Sequence, residues 1–176
     1  MALIKEDGTG KVDANSYASV AEGDTFFEGH GYTDLWTAAT PERKATMLVM
    51  ATTVIDAKMQ FYGYKATSAQ ALQWPRENCP DPDGMPVANL PAYFASDQVP
   101  KGIVNATCVM AQELMKVDRT DAPPGEGILT EWTSYDGKKY DKEDKRHMLP
   151  ELVESMLAKF GVLVEPSSVA VRLVRV

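Results

Sequence analysis

The sequence predicts a mainly α protein: a small bundle of about four helices carrying a long Pro-rich loop, a β-hairpin and an extended, β-prone C-terminal tail. Three observations lead there. Apolar residues recur at three- and four-residue spacing twice, from Ala45 to Met59 and from Ile103 to Met115, which marks two long helices. Between them Pro75, Pro80, Pro82, Pro86 and Pro91 interrupt any regular element. Beyond the second helix, Asp136-Gly137 lies between β-permissive flanks, and the chain closes on a valine-rich run.

The elements follow in order. Asp7-Gly-Thr-Gly10 is a turn signal, so the first dozen residues read as an extended arm with a tight bend. Ser19-Val-Ala-Glu22 has the spacing of a capping box, in which the serine hydroxyl bonds a backbone N–H three residues on and the glutamate reaches back. A helix starts there, runs to about His30 and ends at Gly29 or Gly31. Thr40-Pro41-Glu42 offers an N-cap, a proline at the first helical position and an acid in the first turn. The helix it opens is the central one, with Ala45, Leu48, Val49, Thr52, Ile55 and Met59 on one stripe. Met47, Met50 and Val54 widen that surface, implying cover on a second side by another helix or a neighbouring subunit.

Ser68 to Gln73 reads as one or two helical turns stopped by Trp74-Pro75, because proline disfavours helix in the residue before it. The loop from Pro75 to Val99 contains Tyr93 and Phe94, which with Trp74 give it the means to pack down. Pro100 opens a helix to about Val117, with Ile103, Val104, Thr107, Cys108, Ala111, Leu114 and Met115 on its apolar side. Ile128 to Tyr140 reads as a hairpin, Pro150 to Phe160 as a last helix closed by Gly161, and Val169 to Val176 as the β-prone tail. At 176 residues the chain fits a single domain, 1–176, with 118–146 as a hairpin or loop insertion and 162–176 as the tail.

Composition narrows the function classes. With 44% apolar and 24% charged residues the chain is expected to fold, and no apolar run approaches the roughly 20 residues that span a bilayer, so no membrane partner is expected. The amino terminus lacks a basic region followed by an apolar stretch, which argues against a secretory leader. Cys79 and Cys108 are the two cysteines and are expected to be reduced. A formal net charge of −7 works against a large phosphate-gripping surface, although Lys138, Lys139, Lys142, Lys145 and Arg146 leave room for a local basic patch.

No constellation of catalytic or metal-binding residues stands out. His30 and His147 lack the second and third ligands of a zinc site at helical spacing. Asp81-Pro-Asp83-Gly84 has part of a calcium loop, but Cys79 and Leu90 occupy positions where that loop needs oxygen ligands. Gly8-Thr-Gly10-Lys11 has Lys5 in place of the first glycine of a phosphate-binding loop and Val12 in place of the magnesium ligand. No Gly-x-Ser-x-Gly elbow occurs. The expectation is a protein that is not an enzyme and has no catalytic residue, metal or cofactor. Single strands bind where aromatic rings sit in basic grooves, yet Trp36, Trp74 and Trp132 are scattered, and Arg76 can either stack on a base or pair with Glu77 or Asp81.

Two uncommon strings, Asp13-Ala-Asn-Ser-Tyr-Ala-Ser-Val-Ala-Glu22 and Gln70-Ala-Leu-Gln-Trp-Pro-Arg-Glu-Asn-Cys79, are followed by the Pro-initiated Val99-Pro-Lys-Gly-Ile103 and by Ser167-Ser-Val-Ala-Val-Arg-Leu173 near the end. Together they resemble a family of tailed-phage head-to-tail connector, or adaptor, proteins that also carries the label DnaT-like. The resemblance covers residues 1–117 well and the last ten loosely. It implies a structural protein of the virion, assembled in the bacterial host cytoplasm as a homo-oligomeric ring, a dodecamer by resemblance. The ring would sit on the portal protein, contact tail or neck proteins and meet DNA only as passing cargo.

On that reading the reaching parts supply the contacts with the portal or the next subunit: Val169, Val171, Arg172, Leu173 and Arg175 in the tail, and Trp132, Tyr135, Lys138 and Lys139 in the hairpin. Ser19, Glu22, Trp74, Pro75 and Pro100 serve as structural anchors. The alternative attached to the DnaT-like label is a replication accessory that binds single-stranded DNA. The tail also reads as an edge strand of its own subunit's sheet, and an unrelated helical adaptor stays open.

Overall fold

The computed structural model describes residues 2–86, 90–121, 130–132, 137–139 and 147–164. The fold is mainly α with small two-stranded sheets, as the sequence predicts. Helix α1 (Val20–Glu28) is opened by the capping box: the Glu22 backbone N–H donates to Ser19 Oγ at 3.2 Å, and the Ser19 N–H donates to the Glu22 carboxylate at 2.8 Å. A short helix, α2 (Asp34–Thr37), follows. Helix α3 (Pro41–Lys58) begins at Thr40, whose hydroxyl accepts the Arg43 N–H. Then come β1 (Met59–Phe61), β2 (Tyr64–Lys65), β3 (Arg76–Glu77), α4 (Lys101–Lys116), β4 (Thr130–Trp132), β5 (Gly137–Lys139), α5 (Glu151–Leu157) and β6 (Gly161–Leu163).

Helices α3 and α4 form the main packing pair, with α1, α2 and α5 laid around α4. Leu48, Ile55, Ile103, Met110, Val153 and Leu157 are fully enclosed between them. Val54 is buried, and Met47 and Met50 pack against the core, so the second apolar side of α3 is covered within the chain. Residues 75–99 fold back on themselves: Asp81 N–H donates to Ala92 O, and Phe94 N–H to Cys79 O. Trp74 lies enclosed where this loop meets the core, its ring edge-on to Phe61, Phe94 and Phe160 at centroid separations of 5.9, 6.2 and 6.0 Å. Cys79 and Cys108 are both buried free thiols.

Four expectations need revision. Met59 leaves the α3 stripe and starts β1, since the helix ends at Lys58 and the chain extends to pair with β6. Residues 68–73 make no helical turn; the buried Gln70 side chain organises them, accepting Thr67 N–H and donating to Leu72 O and Pro75 O. Helix α5 stops at Leu157, and Gly161 is not a helix stop but the first residue of β6, where a Cβ would lie 2.4 Å from Gln60 O. The start of the expected tail, residues 162–163, is therefore strand within this chain. Strands β4 and β5 pair antiparallel, Trp132 opposite Gly137, so the predicted hairpin is present, with Gly137 in the strand rather than the turn.

Candidate functional site

The most unusual surface begins with the β1–β6 ladder. Side chains alternate across a strand, and here Met59 and Phe61 point into the core while Gln60 points out. Gln60 pairs with Val162, and the ladder extends at both ends: Val164 N–H donates to Lys58 O at 2.8 Å, and Tyr62 N–H to Phe160 O at 2.9 Å. Gln60 and Val162 therefore share the outer face of the ladder, flanked by Tyr62 just after β1 and Val164 just after β6. Tyr62 is 42% exposed, Val162 48% and Val164 47%, a concentration of apolar and aromatic surface facing water.

The ladder runs into the turn Tyr62-Gly63-Tyr64, which is held from beneath. Arg76 Nε donates to Tyr62 O and its Nη2 to Gly63 O, each at 2.7 Å, while Nη1 donates to Gln73 O at 3.1 Å. Arg76 is buried, and burial draws its pKa below the ordinary arginine value. Gly63 has φ +70°, and a Cβ there would lie 2.1 Å from Glu77 O, so a side chain at this position is excluded on both counts. Tyr64, 54% exposed, accepts a hydrogen bond from Asn78 Nδ2, and its bond to the Glu77 carboxylate raises the phenol pKa. Tyr93, also exposed, belongs to the adjoining Pro80–Tyr93 bridge.

A second feature is a groove of about 820 Å³ between the N-terminal arm, α1 and the start of α4. Phe26 and His30 stack at 4.2 Å on one wall, and Lys101 is exposed at the rim. Its carboxylates are engaged: Asp7 pairs with Lys11 at 2.7 Å and Glu22 with Lys5. The arm's bend is fixed by the buried Glu6, whose carboxylate accepts the N–H groups of Gly8, Gly10 and Lys11. Among the described residues no three His, Cys, Asp or Glu side chains gather as metal ligands.

The residues singled out from sequence are dispersed. Ser19 and Glu22 cap α1, Trp74 is enclosed beside Pro75, and Pro100 is the N-cap of α4. Val169, Val171, Arg172, Leu173, Arg175 and Tyr135 lie outside the described residues, and Trp132, Lys138 and Lys139 are placed by backbone alone in β4 and β5. Arg76 neither stacks outward nor pairs with Glu77 or Asp81, because backbone carbonyls take its donors. Sequence reasoning missed Tyr62 and Tyr64. The available signal was a glycine between two tyrosines directly after an alternating Met-Gln-Phe run.

The whole chain, residues 1–176, matches a family described as "Putative DnaT-like ssDNA binding protein", and the chain belongs to that family. No curated protein and no solved structure gives a significant match. The family match overturns the connector reading. A homo-oligomeric ring, the portal, tail and neck partners, the structural role in the virion and DNA as mere cargo all give way to single-stranded DNA as the expected partner. The physical reason for the error is plain in the structure. The strings that carried the resemblance are caps, a core tryptophan and a helix start, which build a fold without specifying what it binds.

Proposed function

We propose that the protein binds single-stranded DNA as a non-enzymatic accessory, and that it does so in the bacterial cytoplasm, where replicating DNA exposes single strands. The observation that carries this reading is the family match over residues 1–176. The surface supports it. Exposed Tyr62, Tyr64 and Tyr93 offer rings to unstacked bases, a mode of binding that tolerates any sequence because every base has a π-face. The net charge of −7 argues for few phosphate contacts, so that stacking supplies most of the affinity.

The test is fluorescence anisotropy with a labelled oligo-dT strand and a duplex of equal length, titrated with the full chain at several salt concentrations. A dissociation constant in roughly the micromolar range for the single strand is expected, with the duplex bound at least about tenfold more weakly. The expected slope of log K against log salt is shallow, near −1 to −2, as one to three phosphate contacts give about −0.7 each. No measurable binding, or equal binding of strand and duplex, sinks the reading.

A further inference from the structure

We propose that the outer face of the β1–β6 ladder, together with the Tyr62-Gly63-Tyr64 turn, is the platform on which successive bases of the strand stack. This deepens the single-strand reading and rests on it. Val162 and Val164 in and after β6, Tyr62 directly after β1 and Tyr64 just beyond the turn are all substantially exposed around this ladder. Water-facing aromatic and branched apolar side chains gathered this way cost free energy in the unbound protein, which a flat, apolar-faced ligand relieves. A base in a duplex has both faces covered by its neighbours, so only an unstacked strand can use such a surface.

The platform is also pre-organised. The carbonyls of Tyr62 and Gly63 are fixed by the buried Arg76 guanidinium, the Tyr62 N–H by Phe160 O, and the Tyr64 hydroxyl by Asn78 and Glu77. Rings attached to a backbone so constrained lose little further freedom when a base settles on them. Charge fits the same occupant on a modest scale. Lys58, the last residue of α3 beside the ladder, is a cation for a phosphate flanking the stacked bases, whereas Lys65, across from the buried Arg76, donates to the Gln70 carbonyl at 3.4 Å. The groove beside Lys101 is the competing location.

The experiment uses the full chain and labelled oligo-dT. The Tyr62→Ala/Tyr64→Ala double variant should bind roughly ten- to a hundredfold more weakly, and by the same factor at low and high salt, since stacking does not release counterions. The Tyr62→Phe/Tyr64→Phe double variant should stay within about threefold of wild type, as should Lys101→Glu in the groove, because each leaves the stacking surface intact. Photo-crosslinking of the wild-type protein to an iododeoxyuridine-substituted strand should place adducts on Tyr62 or Tyr64, a readout independent of any variant's folding. An alanine double variant that binds within about twofold of wild type overturns the platform, as does equal loss in the phenylalanine pair, loss in Lys101→Glu, or adducts confined to other residues. If the wild-type strand titration itself shows no binding, the single-strand reading falls and takes the platform with it. Binding without tyrosine dependence removes the platform alone.

Discussion

The Tyr17 hydroxyl donates to the Asp56 carboxylate at 2.5 Å, and the pair jointly receives the backbone N–H groups of the turn at Trp74: Gln73 N–H donates to both Tyr17 Oη and Asp56 Oδ2, and Trp74 N–H to Tyr17 Oη. One buried phenol thus ties the segment before α1 to the last turns of α3 and to the start of the Pro-rich loop. Removing the hydroxyl leaves buried donors and a carboxylate short of partners, which costs more than the bond itself contributes. Tyr17→Phe should destabilise the protein by about 1–3 kcal/mol, read from the urea midpoint at constant slope. An unchanged midpoint would show that the loop is held by other contacts.

The same pair gives stability a pH dependence. Burial pushes the Asp56 pKa from 3.8 up to about 6, despite the hydrogen bonds from Tyr17 and Gln73 that favour the anion. Between about pH 4 and pH 6 the folded protein therefore holds a proton that the unfolded chain has released, so Asp56 makes stability fall as pH rises through that window and contributes no further change above it. The effect is worth at most about 3 kcal/mol. Asp24 works in the opposite sense. Its bond from Lys44, helped by Trp36 Nε1, lowers its pKa, so its stabilisation is present above the ordinary carboxylate range and is lost in more acid solution. Comparing Asp56→Asn with wild type isolates the contribution of Asp56: the variant should gain stability relative to wild type as pH rises from about 4 to about 6, and a difference that is flat with pH would refute the assignment.

Trp74 gives a test of the core under the loop. Its ring is enclosed by Phe61, Phe94 and Phe160, and its Nε1 makes no hydrogen bond among the described residues. Trp74→Ala should cost about 3–5 kcal/mol through lost burial and the cavity left behind. Trp74→Phe should cost less than half of that, because it keeps an aromatic ring edge and deletes an unpartnered buried N–H. Thermal melts of the two variants decide the matter, and equal losses would mean that the indole nitrogen is satisfied in solution.

What the sequence made legible is what neighbouring residues determine. The Ser19–Glu22 box, Thr40-Pro41 and Pro100 each fix a helix start within a few residues, and the α3 and α4 stripes follow from spacing alone. What it hid depends on distant partners. Met59 looks helical until Leu163, about a hundred residues later, pairs with it, and Gly161 looks like a helix stop until Gln60 is seen against it. The Tyr62-Gly63-Tyr64 string announces only part of the exposed surface, because Val162 comes beside Gln60 only once β1 and β6 are joined. Arg76 gave no hint that its partners are the carbonyls of Tyr62 and Gly63 rather than an acid close by.

The turn between the two tyrosines offers a last test that links fold to binding. Gly63 has φ +70°, where an L side chain is strained, and a Cβ would meet Glu77 O at 2.1 Å, backbone that β2–β3 pairing holds in place. Gly63→Ala must therefore displace either the turn or β3, and both movements pull the carbonyls of Tyr62 and Gly63 away from Arg76. The expected loss of stability is about 1–3 kcal/mol, well short of unfolding a domain with an intact α3–α4 core. The variant should thus remain folded by circular dichroism while both tyrosine rings leave their fixed positions. Its affinity for oligo-dT should fall several-fold although neither ring has been removed, since bases must then order what the turn had ordered beforehand. Wild-type affinity in a folded Gly63→Ala protein would show that the geometry of the turn is irrelevant to the strand, leaving Arg76 a purely structural residue.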